Sequence, residues 1–262
     1  MNGIDFSWNA PPVTALKSGG FDFAIGYLSH DPTKDWKLTT LDSYHQAGIA
    51  TVCVWETTAT RAQGSRSDGV NDALEARALG ETLGMGDRPI YFAVDFDTTG
   101  IAGTIVPYFE GVVAAIGLKR VGVYGGLATM QEIMNARLAS YAWQSLAWSD
   151  TPPVWDHRAD IQQTRNDISV GGCDCDLDVA ISHDFGQFPY HIAREGIASV
   201  RHDLNIATGK WDHAPLPGKG IEWGDTEEWA SLETQLCTGG KRAGEWRDQW
   251  LEFNAPPLGG SK

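Results

Sequence analysis

Eight short apolar, β-branched or aromatic runs recur along the first 186 residues, separated by polar loops or by segments with helical spacing. They are "GIDFSW" (3–8), "FDFAIGYLS" (21–29), "ATVCVWE" (50–56), "PIYFAVDFD" (89–97), "RVGVYGG" (120–126), "QSLAWS" (144–149), "DIQQT" (160–164) and "CDCDLDVAI" (173–181). Strand-like runs alternating with helical patterns are the signature of β/α units wound around a parallel sheet. Eight of them fit a closed barrel, so the expected fold is α/β, a (β/α)8 TIM-like barrel that is irregular in its last units.

The intervening segments support this. In "DGVNDALEARALGETLG" (68–84), Val70, Ala73, Leu74, Arg77, Ala78 and Leu83 follow a helical period, and Gly84 and Gly86 can end the helix. "IAGTIVPYFEGVVAAIGL" and "LATMQEIMNARL" are further helices, the first requiring Pro107 near its start. Residues 57–66 read as a polar loop over one end of the barrel, and Pro152 and Pro153 leave 149–160 without a helix.

The β/α rhythm stops near residue 186, which divides the chain into a barrel (1–186) and a Trp-rich C-terminal extension (187–262). Five of the 11 tryptophans lie at or beyond residue 211. Trp246, Trp250 and Phe253 follow i, i+4, i+7 spacing, which predicts a short amphipathic helix for packing or docking.

Charge narrows the partners. Twenty basic against 34 acidic residues give a net charge of -14, which argues against nucleic acid and anionic membranes, since both require clustered Lys and Arg. Met1 leads directly into a strand-like run with neither a basic n-region nor an apolar h-region, and no apolar run approaches the roughly 20 residues of a membrane span. The expectation is a chain without a secretory signal or a membrane partner. Cys53, Cys173, Cys175 and Cys237 are too few for a disulfide framework, and Cys173-x-Cys175 is shorter than a C-x-x-C knuckle. No metal or cofactor is expected.

The chemistry lies in the acids. Side chains alternate across a strand, so Asp95 and Asp97 face the same way as Ala93, toward the barrel mouth. Asp174, Asp176 and Asp178 likewise share one face, while Asp5 and Glu56 end the first and third runs. Gathering carboxylates out of water raises their pKa values, and one raised acid beside one ionised carboxylate is the apparatus of glycoside hydrolysis. Catalytic candidates are therefore Asp95, Asp97, Asp5 and Glu56. "DCDLD" opens like a calcium loop, but Val179 and Phe185 replace the turn glycine and the bidentate Glu, so that reading fails. Tyr27, Trp55, Tyr124 and Trp148 lie near strand ends where they could stack on sugar rings. Of the alternating Gln162 and Gln163, one should point inward, with Gln162 the candidate hydroxyl ligand beside Asp176.

Together "GIDFS", "YLS", "HQAGIATVCVWE", "DALEARALGETLG", "PIYFAVDFD", "VGVYGG" and "DLDVA" resemble, over residues 1–186, the glycoside-hydrolase-like domain of actinobacterial secreted proteins and phage lysins. That domain is a relative of the family 25 (Chalaropsis-type) lysozymes. The resemblance implies a modified TIM barrel whose relatives cleave the β-1,4 bond between N-acetylmuramic acid and N-acetylglucosamine. In family 25 the fourth strand ends in Asp-x-Glu with the Glu as general acid. Asp95 matches that Asp, Asp97 stands at the Glu position one methylene shorter, Asp5 matches the first-strand Asp, and Asp176 matches the final-strand Asp. Glu56 is the alternative acid.

Two functions follow as expectations. One is a peptidoglycan-directed glycoside hydrolase, phage-encoded and held in the host cytoplasm before lysis or carried on the virion. The other is an inactive glycan-binding or structural barrel of a phage particle, docked to other phage proteins through its extension. Metal-dependent phosphodiester cleavage lacks its early His pair, and a chitinase reading lacks the terminal Glu after "VDFD".

Overall fold

The structure, a computed structural model, describes residues 1–188. Eight strands close into a barrel in sequence order: β1 (Asn2–Asp5), β2 (Phe23–Leu28), β3 (Ala50–Trp55), β4 (Ile90–Ala93), β5 (Val121–Gly125), β6 (Tyr141–Gln144), β7 (Ile161–Val170) and β8 (Cys173–Ala180). Five helices follow the first five strands: α1 (Val13–Gly19), α2 (Leu38–Gln46), α3 (Arg66–Thr82), α4 (Val106–Ile116) and α5 (Leu127–Asn135). No helix intervenes between β6 and β8, so the late units are irregular.

The expectation of eight parallel strands needs one correction. β1 to β7 run parallel, whereas β8 pairs antiparallel with both β7 and β1. Gly171 and Gly172, both with φ in the left-handed region (61° and 85°), form the two-residue hairpin turn that reverses the chain. The sixth strand also precedes its expected run: Tyr141–Gln144 pairs with β5, and "QSLAWS" after Gln144 leaves the sheet.

Strand alternation sorts the apolar residues into two layers. Phe23, Ile25, Val52, Val54, Tyr91, Ala93, Trp143 and Ile161 fill the barrel interior. Ile4, Ala24, Cys53, Trp55, Phe92, Val94 and Val123 point outward into a second layer against the helices. The N-terminal end of the barrel is plugged by 184–188: Phe185 packs on Phe23 at 4.7 Å, and Tyr91 donates to the Phe185 carbonyl at 2.7 Å.

α3 and α4 approach unusually closely. A Cβ on Gly69 would lie 2.0 Å from the Tyr108 carbonyl oxygen, and one on Gly111 would lie 2.0 Å from that of Arg66. α3 starts with a capping box in which the Ser65 hydroxyl accepts from Asp68 N and the Asp68 carboxylate accepts from Ser65 N. Beneath it, buried Asp72 accepts two bonds from Arg61 (2.8 and 2.7 Å) and one from Tyr108 (2.9 Å). This ties the β3–α3 loop to the helix layer. Among the described residues no helix is long and apolar enough to cross a membrane. Cys53, Cys173 and Cys175 are free thiols. The amphipathic segment 246–253 and Cys237 lie outside the described residues.

Candidate active site

The site is built from side chains that continue the inward rows of the strands past the apolar interior. Asp5 ends β1, and Tyr27 lies on β2 two residues beyond Ile25. Glu56 follows Val54 and Asp95 follows Ala93 by the same two-residue step. Tyr124 comes from β5, Gln163 from β7 and Asp176 from β8. All belong to the mouth at the C-terminal ends of β1 to β7, where β8 begins its descent.

Asp5 and Asp176 are directly opposite in the β1–β8 pair. One donor serves both: Gln163 Nε2 donates to Asp5 at 2.8 Å and to Asp176 at 3.0 Å, while Tyr124 donates to Gln163 Oε1 at 3.4 Å. Burial, reinforced by the charge of Asp176, pushes the Asp5 carboxyl up to about 7. Asp176 is raised by burial against the donated backbone N–H of Asp167 (2.8 Å). One step deeper, fully buried Asp178 accepts from Trp143 Nε1 at 2.9 Å, and burial raises it strongly.

Across the mouth, Lys34 from the β2–α2 loop forms an ion pair with Glu56 at 3.3 Å. Its ammonium also lies 4.7 Å from the Trp8 ring centre and 5.1 Å from that of Tyr27, within cation–π range. Burial raises the Glu56 and Asp95 carboxyls, and the charge of Lys34 opposes the rise at both. The backbone N–H of Asp95 donates to the Ala59 carbonyl (3.3 Å), so the loop anchored by Arg61 and Asp72 also positions Asp95. Burial raises the Tyr27 hydroxyl, and the charges of Asp5, Glu56 and Asp95 add to the rise.

Four expected site residues do not lie on the inward strand rows. β4 ends at Ala93, so strand alternation no longer governs Asp97; it is exposed, and its carboxylate accepts from Thr99 N at 2.9 Å, which lowers its pKa. A lowered, exposed carboxylate is unsuited to be the proton donor. Trp55 points outward into the layer beneath the helices, with its ring 5.4 Å from His30. Gln163, not Gln162, faces inward, because the β7–β8 register sets Gln163 opposite Asp178. Trp148 is in the β6–β7 loop, 36% exposed, with φ of 55°. The residues not anticipated from sequence are Lys34, Trp8 and Trp143, and of the two glutamines it is Gln163 that faces the acids. Trp8 is 59% exposed, with the Lys34 ammonium over its ring.

A barrel of this topology, with carboxylates from four strand ends around a tyrosine-lined mouth, defines a glycoside-hydrolase-like TIM barrel. The chain belongs to the Rv2525c-like, glycoside hydrolase-like domain family, whose model matches residues 14–182. It is 27% identical over 210 residues to Rv2525c of Mycobacterium tuberculosis, provisionally named a peptidoglycan hydrolase, covering 71% of this chain and 82% of that protein. The crystal structure of the same Tat-secreted protein with L-tartrate superposes with a TM-score of 0.66 at 25% identity, over 71% of this chain and 98% of that one. The modular autolysin LytC of Streptococcus pneumoniae, solved with a synthetic peptidoglycan ligand, shares the fold (TM-score 0.52, 16% identity, 68% of this chain and 46% of that one).

Proposed function

We propose that the barrel hydrolyses a glycosidic bond of peptidoglycan with carboxyl groups gathered at its mouth. The observation that carries this reading is the contrast between two sets of acids. Asp5, pushed to about 7, holds a proton for much of the time near neutrality. Asp95 and Glu56 share the field of Lys34, which favours their ionised forms against burial.

In this reading Asp5 protonates the leaving glycosidic oxygen, because an acid titrating near the working pH both holds and releases a proton readily. Asp95 faces the positive charge that develops on the sugar ring. Glu56 and Lys34 fix that side of the mouth, and the exposed Trp8 face offers a stacking surface for a sugar. The family resemblance supports Asp95 and Asp5 in the site; it also pointed to position 97, which the geometry disfavours.

A second reading has a specific observation behind it. Asp97, at the position where family 25 carries its acid, is exposed and accepts from Thr99 N. A barrel that binds wall glycan without cleaving it would tolerate that. Incubating the full chain with purified actinobacterial walls and weighing the soluble products by mass spectrometry separates the two. Hydrolysis predicts muropeptides with new reducing ends; binding alone predicts that the protein sediments with intact walls. Phage origin and a place on the virion are separate proposals, tested by proteomics of purified particles.

A further inference from the structure

The most deeply buried acid in the barrel is one that the proposed chemistry leaves idle. Asp178 is fully buried on β8, opposite Gly3 of β1 and Gln163 of β7. Its Oδ1 accepts from Trp143 Nε1 at 2.9 Å. Its Oδ2 is buried and meets no N–H or hydroxyl donor; the β1–β8 register, which sets Asp5 opposite Asp176 and Asp178 opposite Gly3, makes the inward Asp5 carboxyl its diagonal neighbour, and after burial the charge of Asp5 is what raises Asp178 most. Two ionised carboxylates in a dry interior repel, and neither can donate; a bond between them requires one proton.

We infer that Asp178 is a permanently protonated positioning residue, whose hydroxyl donates to Asp5 and holds that carboxylate in place for proton exchange. The site of the proton follows from the surroundings. Asp5 has a donor in Gln163 Nε2 and borders the mouth, whereas Asp178 has a single donor and is wholly buried. The charge therefore rests on Asp5 and the proton on Asp178. Trp143 locks the orientation: by donating to Oδ1 it leaves Oδ2 as the oxygen that carries the hydrogen.

This inference rests on Asp5 being the working acid, but its test needs no substrate. The full chain is labelled with 13C at the aspartate carboxyls and titrated by NMR, for the wild type, Asp178→Asn and Asp178→Leu. Asparagine keeps a neutral side chain that accepts from Trp143 and donates an N–H toward Asp5; leucine keeps volume but no donor.

The expected result is one carboxyl resonance that stays at its protonated position through neutral pH and vanishes in Asp178→Asn. The Asp5 midpoint should hold near its wild-type value in Asp178→Asn and rise by about one pH unit in Asp178→Leu, because the ionised form loses a charge-assisted bond. A resonance for Asp178 at the ionised position, or an Asp5 midpoint that falls in either variant, would overturn the inference, since removing a neighbouring negative charge lowers a carboxyl pKa. If Asp178→Leu does not fold, the Asp178→Asn titration still decides. Should walls resist digestion while these shifts appear, the hydrolase reading fails and the proton assignment stands.

Discussion

Asp5 and Asp176 stand directly across from each other in the β1–β8 pair and draw on the same amide, Gln163 Nε2, at 2.8 and 3.0 Å. The amide lets two carboxylates from adjacent strands share a mouth with little water. Replacing Gln163 with Leu removes that donor and exposes their repulsion. The variant should lose about 1–3 kcal/mol of stability in urea unfolding at pH 8, above the Asp5 midpoint of about 7. A loss near zero would show that Gln163 does not carry the pair.

The pH dependence of stability follows from the direction of the Asp5 shift. Its folded value, about 7, lies above the 3.8 of an unperturbed aspartate, so the folded state holds the proton more tightly than the unfolded chain. Stability therefore declines as pH rises from about 4 to about 7, by up to about 4 kcal/mol from three pH units at roughly 1.4 kcal/mol each. Asp5→Asn should be more stable than wild type at pH 8, and the difference should fade toward pH 4. Thermal unfolding of both proteins across that range reads the effect; parallel curves would contradict it.

Lys34 is the cation that faces Glu56 and Asp95. Lys34→Met should move the acidic limb of any wall-hydrolysis or wall-binding profile upward by roughly one pH unit, because both carboxylates lose an opposite charge. Lys34→Arg should restore most of it. The limb staying in place would mean that other groups set it.

Gly69 and Gly111 test the scaffold. Each faces a backbone carbonyl at the α3–α4 crossing, with no flexible side chain to yield. Either glycine changed to Ala should cost about 1–3 kcal/mol in chemical denaturation, despite the better helix propensity of alanine. A stabilised variant would contradict the close packing.

Much of the site can be read from strand alternation, and its failures have local causes. Alternation placed Asp95 on the inward row, and run ends pointed to Asp5 and Glu56; the structure shows one two-residue step behind the mouth, from Ile25 to Tyr27, Val54 to Glu56 and Ala93 to Asp95. Alternation misplaced Asp97 because β4 stops four residues earlier and Thr99 N captures the carboxylate. Nearness to a strand end does not decide which way Trp55 faces; as neighbour of inward Val54 it must face out. The reversal of β8 had a signal in Gly171–Gly172, the residue pair that suits a two-residue hairpin. Lys34 and Trp8 sit on loops, where no periodicity applies and only tertiary packing brings them to the acids.

The measurement that bears most directly on the central claim compares three variants on one substrate. Initial rates of reducing-sugar release from actinobacterial walls are determined for the wild type, Asp5→Asn, Asp95→Asn and Asp97→Asn, each confirmed folded by circular dichroism. Charge gathered at the mouth predicts that Asp5→Asn and Asp95→Asn each lose at least about 100-fold, as expected for loss of a proton-transferring or charge-stabilising group. Asp97→Asn should stay within about threefold of wild type. Loss of activity confined to Asp97→Asn, with Asp5→Asn and Asp95→Asn fully active, would contradict the account.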